Sequence, residues 1–498
     1  MTLFGTAGVR GSVREEVTPD LALAVGRATG RDGAEFAVGR DGRTTGRGLA
    51  DAVAAGLQSA GADVRRVGQV PTPALAYAAR GRRGVMVTAS HNPPADNGLK
   101  LFVDGVEYDA DAETRVADRV ADPAAPVPWD EWGDTERVDV LPAYRRAVVD
   151  HVLSVGGGGV TSHRGRGKAA ADGPRGTLDA EPLVGLRVAV DCGNGTGSVT
   201  TPAVLRALGA DVVAVGANVD GAFPARDSKP TPESLVEFAA VLDAADGEGG
   251  DEPFDLGLAH DGDADRTVVL TGDGEVVHED TVLAVLAEHH VRRSGAADPV
   301  VVTTPNASAR VDERVETVGG RVERVRLGGL HEGVAAAREA SGADTAVVFA
   351  GEPWKHVHPG LGGWIDGVAT AALVAALVAE TGARLDGGGR EGLAALREPV
   401  TERPYRKESV DCHEERKRAA MALVGERLPE AVEGTVDTAY GVRVDRRDGA
   451  WVLVRPSGTE PYLRVYAESD EVDALVARAV DVVEGAVADA SEADPNDR

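Results

Sequence analysis

Apolar residues in this chain come in short continuous runs rather than in strict alternation. Three stretches repeat one order: an apolar run, a polar or glycine-rich turn, a helical stretch, then a G-x-(D/R)-V segment that opens another run. They are EFAVGRDGRTTG with GLADAVAAGLQSAGADVRRVG, LRVAVDCGNGTGS with VTTPAVLRALGADVVAVG, and PVVVTTPNAS with ARVDERVETVGGRVERVRLG. Continuous runs suit strands covered by helices on both faces. Each stretch is therefore predicted to be a βαβ-type unit of a mixed α/β domain. The anchors Gly61, Gly209 and Gly319 are unequally spaced, and the longer first interval contains residues 154–182, glycine-rich and without periodicity, read as a mobile linker or surface loop.

A second break, ETGARLDGGGREG, precedes a part of different texture, in which YGVRVDRRDGAWVLVRPSGTEPYLRVYAES reads as a strand hairpin, a loop, a strand and a final amphipathic helix. The expected architecture is three similar mixed α/β domains followed by a smaller α+β domain. The expected limits are 1–150, 151–253, 254–385 and 386–498.

Composition narrows the function. Among 498 residues, 53 Lys+Arg stand against 81 Asp+Glu, a net charge of −28. Nucleic acid and anionic membranes would repel such a chain. Its only lysines are Lys100, Lys168, Lys229, Lys355, Lys407 and Lys417, and this acidic, lysine-poor, Ala/Val-rich make-up resembles that of halophilic proteins. Cys192 and Cys412 make neither a disulfide framework nor a metal spacing. The start, MTLFGTAGVRG, lacks a signal-peptide pattern, and the longest apolar stretch, Val368 to Ala379, is shorter than the ~18 residues of a bilayer span. A cytoplasmic protein is expected.

Four segments carry chemistry. In VMVTASHNPPADNGLKLF, residues 85–102, a strand runs into a turn presenting Ser90 and His91, where Pro93, Pro94 and Gly98 prevent regular structure, with Lys100 downstream. The serine is a candidate nucleophile or phosphate carrier, although a Ser-His pair in a loop also serves as an ordinary turn hydrogen bond. FDLGLAHDGDADR, residues 254–266, delivers Asp261, Asp263 and Asp265 at alternate positions, three hard oxygen donors suited to Mg²⁺, with Arg266 beside them. An EF-hand is excluded, because Arg266 and Gly272 stand where that loop needs Gly and Glu. WVLVRPSGTEPYLRVY offers Arg455, Ser457, Gly458 and Thr459 in one tight loop, able to hold a phosphate or to form a plain β-turn. FGTAGVRG is a glycine-rich loop carrying Arg10.

Taken together and in order, FGTAGVRG, TASHNP, DGDADR and RPSGTEP resemble the α-D-phosphohexomutase superfamily over nearly the whole chain, and DNGLK and DGAFPARDSKPTPESL also look like its segments. The resemblance implies four domains around one cleft, a phosphoserine at Ser90, and Mg²⁺ on Asp261, Asp263 and Asp265 with a phosphate oxygen on Ser90. It makes Arg10, Lys100 and Arg266 active-site cations, Lys100 and His91 the acid/base candidates, and Arg455, Ser457, Gly458 and Thr459 the loop for the phosphate that is not transferred. It further implies a small phosphosugar as substrate and a sugar bisphosphate as intermediate and activator.

Two departures fall on sugar recognition. The family's G-E-x-S-G-H loop is GEPWKHVHPGLGGWIDG here. Gly351, Glu352 and His356 match, while Trp354 and Lys355 replace Ser and Gly. Glu352, Lys355 and His356 are the substrate-binding candidates, with Trp354 either a sugar-stacking face or a packing plug. In RLGGLHEGV, Gly329 occupies the family's sugar-selecting position and His331 follows, read as a surface residue at a helix start. Glucose or mannose phosphates are the expected substrates, with glucosamine or pentose phosphates as alternatives. A catalytically silent sugar-phosphate sensor or a simple hydrolase would leave Ser90 with its aspartates, or the second phosphate loop, without a purpose.

Overall fold

The computed structural model describes residues 3–5, 8–156, 181–245, 252–340, 342, 344–457 and 460–492. Most of the stretch 154–182 lies outside the described residues. The chain forms two compact units, residues 1–279 with 354–398, and 280–353 with 399–498.

The first unit holds two sheets. One runs in the order Val9–Ser12, Asp96–Val103, Arg83–Val87, Glu35–Arg40, Asp63–Gln69, Thr135–Arg137, with Val106–Glu107 pairing on Asp96–Val103. Its centre is parallel, and Asp96–Val103 returns antiparallel to Arg83–Val87. The other sheet runs Val268–Thr271, Leu256–Ala259, Arg187–Asp191, Asp211–Val215. Leu256–Ala259 is parallel to Arg187–Asp191, with Leu256 opposite Val188 and Ala259 opposite Asp191. The expected limit at 253/254 is thereby corrected: the strand leading into the aspartate loop belongs to the second sheet, because its apolar run completes that ladder.

The second unit holds a parallel sheet in the order Arg321–Arg324, Asp298–Thr303, Thr345–Glu352. It also holds an antiparallel sheet in the order Tyr405–Asp411, Tyr462–Glu468, Trp451–Pro456, Val442–Asp445, Thr435–Asp437. Helices Glu414–Ala431 and Val472–Glu492 bury their apolar faces on the latter through Val424, Leu428, Ala479 and Val483.

The three repeats appear as strand, helix and neighbouring parallel strand in three separate sheets. Gly61, Gly209 and Gly319 share one role: each leaves its helix with φ of 89°, 101° and 84°, a left-handed turn that a side chain would strain. The apolar stretch 368–379 lies in helix Gly367–Arg384, capped by the Asp366 carboxylate on the Ala369 N–H (2.8 Å). This helix is long and apolar enough to cross a membrane, but 72% of it is buried inside the fold, where it serves as a core helix.

Candidate active site

Strand Arg83–Val87 is almost wholly buried and ends in Thr88, Ala89 and Ser90. Ser90 has φ +52°, the left-handed region that a serine adopts only when its surroundings hold it there. Its N–H donates to Thr88 Oγ1 (2.8 Å). The main brace is Arg43. Its Nη1 donates to the carbonyls of Pro93 (2.6 Å) and Asp96 (2.9 Å), Nη2 to those of Ser90 (3.0 Å) and Asn92 (2.6 Å), and Nε to Asp41 Oδ2 (3.2 Å). A guanidinium has five N–H donors, and all five are used. The Arg43–Asp41 pair is fully buried, so the serine loop is built round a desolvated ion pair. The sequence reading passed over Arg43, since a buried arginine in a polar turn leaves no periodic signal.

Asp261, Asp263 and Asp265 are buried, and their carboxylate oxygens lie within 4.8 Å of one another. Ser90 Oγ donates to Asp261 Oδ2 at 2.7 Å. The two loops approach backbone to backbone: a Cβ on Gly262 would stand 2.7 Å from the Ser90 carbonyl oxygen. Thr72 Oγ1 donates to Asp263 Oδ2 (2.6 Å), and Thr88 Oγ1 lies 3.2 Å from the same oxygen. Neither threonine stood out in the sequence. Burial, then the charges of Asp265 and Asp263, push the Asp261 carboxyl well above the usual carboxylate range. Asp263 Oδ1 and Asp265 Oδ1 are buried with no hydrogen-bond partner among the described residues. Clustered, under-satisfied carboxylate oxygens fit a hard divalent cation such as Mg²⁺.

Cations ring this cluster. Lys100 Nζ is 2.9 Å from Asp265 Oδ2 and 3.9 Å from Asp263 Oδ2. Burial opposes its charge, but Asp265, Glu107 and Asp263 outweigh burial and hold its pKa above the ordinary value. Lys100 thus keeps its proton at neutral pH. Burial likewise opposes ionisation of Asp265, yet Lys100, Lys355 and Arg266 pull that carboxyl far down. Arg266 Nε is 3.6 Å from Asp261 and 3.8 Å from Asp265. Arg10 lies on the strand paired with the start of Lys100's strand, opposite Gly98, and its Nε is buried without a partner among the described residues. His91 Nδ1 is 3.4 Å from Ser90 Oγ, and burial with the charges of Arg266 and Arg10 keeps the ring neutral. The structure therefore brings Ser90, His91, Lys100, Arg10, Arg266 and the three aspartates together within the first unit.

The sugar-loop candidates divide. The Lys355 charge acts on both Asp265 and His91. Trp354, with φ +68°, packs on the core of the second sheet, as a plug would. His356 is 1% exposed, lies 3.3 Å from Thr370 Oγ1 on helix Gly367–Arg384, and burial lowers its pKa to about 3. It is as deeply buried as Ser90 and the three aspartates. Glu352 ends strand Thr345–Glu352 in the second unit, half-buried. His331 opens helix Leu330–Glu339, as expected.

In the second unit Arg455 projects from strand Trp451–Pro456, donating through Nη2 to Tyr466 Oη (2.8 Å) with its guanidinium 5.4 Å over that ring. The turn after it is held by buried Lys417, whose Nζ donates to the Ser457 carbonyl (2.6 Å), the Glu460 carbonyl (2.8 Å) and Glu414 Oε2 (2.5 Å). Ser457 Oγ accepts from the Glu460 N–H (3.2 Å). Gly458 and Thr459 lie outside the described residues. Lys417, on a helix far from the loop in sequence, was also passed over.

Comparison with known proteins gives one answer along the whole chain. Residues 1–125, 175–274 and 278–388 match the phosphoglucomutase/phosphomannomutase α/β/α domains I, II and III, and 409–485 match that family's C-terminal domain. The chain is 37% identical over 480 residues to a phosphopentomutase of Thermococcus kodakarensis, and 38% identical over 478 residues to a probable phosphoglucosamine mutase of Methanopyrus kandleri; each alignment covers 94% of both proteins. A crystal structure of a phosphoglucomutase/phosphomannomutase family protein from Burkholderia thailandensis superposes with a TM-score of 0.77 at 26% identity, covering 99% of this chain and 98% of that one. With all four domains matched in order, the chain belongs to the phosphoglucomutase/phosphomannomutase family of phosphosugar mutases, isomerases that move a phosphoryl group within one sugar.

Proposed function

We propose that this enzyme interconverts the phosphate positions of a neutral aldose phosphate, with Ser90 as the phosphoryl carrier. The observation that carries this reading is the 2.7 Å contact between Ser90 Oγ and Asp261 inside the buried carboxylate cluster. In the first half-reaction the bond from phosphorus to Ser90 Oγ breaks and a bond from phosphorus to a free sugar hydroxyl forms, giving a sugar bisphosphate. Neutral His91, whose basicity rises once the phosphoserine dianion sits beside it, takes the hydroxyl proton and passes it to the departing Ser90 Oγ, 3.4 Å from its Nδ1, so that the serine hydroxyl and the neutral ring are both restored. The second half-reaction returns the other phosphate to Ser90. Lys100, Arg266 and Arg10 stabilise the charge spread over the transferring group, so most of the catalysis is positioning and electrostatics. Asp261, Asp263 and Asp265 would hold Mg²⁺, which would supply charge neutralisation at that phosphate. Arg455 and Ser457 are the candidates for the phosphate that stays behind, with Glu352 and Lys355 toward the sugar.

The expected glucose and mannose phosphates share the neutral-sugar class with the pentose phosphate suggested by the Thermococcus relative's name. The cationic Lys355 beside Asp265 favours that class over an ammonium-bearing glucosamine. Glucosamine phosphate stands as the second reading on the strength of the Methanopyrus relative's name. The deciding experiment compares turnover of glucose, mannose, ribose and glucosamine 1-phosphates with Mg²⁺ and a trace of the matching bisphosphate, alongside intact-mass detection of phosphoserine. Neutral sugars turned over in preference, with turnover lost on chelation, is the expected result. A preference for glucosamine would overturn the neutral-sugar reading, and a turning-over enzyme that never carries a phosphoryl group would overturn the role of Ser90.

A further inference from the structure

In a chain with 81 acidic and 53 basic residues, many arginines are matched by a carboxylate. Arg321 pairs with Asp298, Arg324 with Asp312, Arg326 with Glu332 and Arg397 with Glu275. One cavity beside the first sheet departs from this pattern. It is an open hollow of about 730 Å³ lined by Arg40, Arg47, Arg66 and Arg137 against two carboxylates, Asp51 and Asp139.

The backbone dictates this convergence. Arg66 and Arg137 are partners on adjacent parallel strands, so their side chains leave the same face of the sheet. Val38 is the partner of Arg66 on its other side, and Arg40, two residues on, returns to that face. Across from them, Arg47 and Asp51 are four apart on helix Gly46–Ser59 and share one helical face. The carboxylates are already engaged: Asp51 pairs with Arg66, and Asp139 Oδ1 accepts the Leu141 N–H (3.1 Å). Among the described residues the side chains of Arg47 and Arg137 make no ion pair or hydrogen bond, while that of Arg40 donates only to the Asp41 carbonyl (3.0 Å). Burial lowers the Arg40 pKa, with the like charge of Arg47 adding to it and the carboxylates of Asp41 and Asp51 opposing it.

We infer that this cavity is a second anion site, taking a small phosphorylated metabolite with at least two negative charges. Guanidinium forks match phosphate oxygens in paired hydrogen bonds, and a singly charged ligand would leave cations uncompensated. The volume falls in the ~300–1,000 Å³ range of small-molecule sites, and Val67 and Val138 provide an apolar wall for the body of the ligand. Metal ions are excluded by the positive lining, and nucleic acid by the −28 charge of the chain. The cavity shares no residue with the serine loop, the aspartate cluster or the C-terminal phosphate loop.

The test is calorimetric titration of the full chain, at one ionic strength, with inorganic pyrophosphate and with ADP. It compares wild type, R47E/R137E, and an R455A variant that reports any binding at the C-terminal phosphate loop. Arg47 and Arg137 are exposed and unpaired, so mutase turnover of R47E/R137E without added ligand should match wild type and confirm an intact fold. The expected result is binding by wild type and by R455A, weakened about tenfold or more in R47E/R137E. ADP binding tighter than pyrophosphate would assign the apolar wall to the ring; equal affinities would assign recognition to the phosphates alone. Should R47E/R137E fold poorly, R47A/R137A is expected to show a smaller loss in the same direction. Binding unchanged in these variants, or no binding beyond what R455A abolishes, would overturn the proposal.

Discussion

Two loops in this molecule present groups for a phosphate, and they are built in opposite ways on a common device. The device is a buried cation that gathers backbone carbonyls: Arg43 takes four carbonyls and one carboxylate in the serine loop, and Lys417 takes two carbonyls and one carboxylate in the C-terminal loop. Each cation uses its full complement of N–H donors, five and three. The difference lies in what surrounds them. Ser90, Asp261, Asp263, Asp265 and Lys100 are all buried, so the groups of the bond-making step are fixed before any ligand arrives. Arg455 is only half-buried and leans on the face of Tyr466. Rigidity belongs where charge must meet a transferring group at defined distance, and openness where a phosphate must enter and leave.

The largest effect should come from the centre of the rigid loop. Ser90→Ala is expected to reduce turnover to background and abolish phosphoryl incorporation seen by intact mass, with little change in melting temperature, since the loop hangs on Arg43 rather than on Ser90 Oγ. Turnover comparable to wild type would remove Ser90 from the chemistry. Next comes the brace itself. Arg43→Lys offers three donors to five acceptors, leaving at least two unserved at about 1–3 kcal/mol each. The expected outcome is a loss of roughly 2–6 kcal/mol of stability together with a fall in kcat, read by thermal unfolding and steady-state kinetics. An unchanged melting temperature with full turnover would show that the serine loop holds its geometry without the guanidinium.

Lys417→Met makes the parallel cut in the open loop. Two of its three acceptors belong to exposed residues, Glu414 and Glu460, so the stability cost should be smaller, about 1–2 kcal/mol. The kinetic signature should also differ: KM for the sugar phosphate rises severalfold while kcat changes less, because the loop is proposed to bind the phosphate that is not transferred. A fall in kcat equal to that of Arg43→Lys would erase the distinction between the loops.

What could be read from the sequence follows the same division. Short apolar runs with glycine-ended helices gave away the three α/β repeats, because strand burial and left-handed helix exits constrain residue type locally. Ser90, Lys100 and the three aspartates were legible because each sits in a contiguous motif whose chemistry is written in adjacent residues. Arg43, Lys417, Thr72 and Thr88 were not, since each acts on a loop distant in sequence and none is marked by periodicity. The strand Leu256–Ala259 was assigned to the wrong domain for a related reason: an apolar run does not say which sheet it will complete, and only the ladder with Arg187–Asp191 decides that. His356 shows a motif and a packing position side by side. Its motif position pointed to substrate, while its neighbours on helix Gly367–Arg384 draw it into the core.

That histidine supports the smallest and most selective prediction. In the fold burial keeps His356 neutral down to about pH 3, whereas in the unfolded chain it takes up a proton near its ordinary value of 6.5. Unfolding therefore binds a proton between these two values, so this residue makes stability fall as the pH drops from ~6.5 toward ~3. His356→Gln retains a polar partner for Thr370 but cannot titrate. It should lose less melting temperature than wild type between neutral and mildly acid pH, while KM for the sugar phosphate stays unchanged at neutral pH. His260, also buried and lowered to about 4, titrates in the same direction in both proteins, so only the difference between the two profiles reports on His356. A raised KM with an unaltered pH profile would return His356 to the sugar site, and would mean that the sugar loop, like the serine loop, works from inside the core.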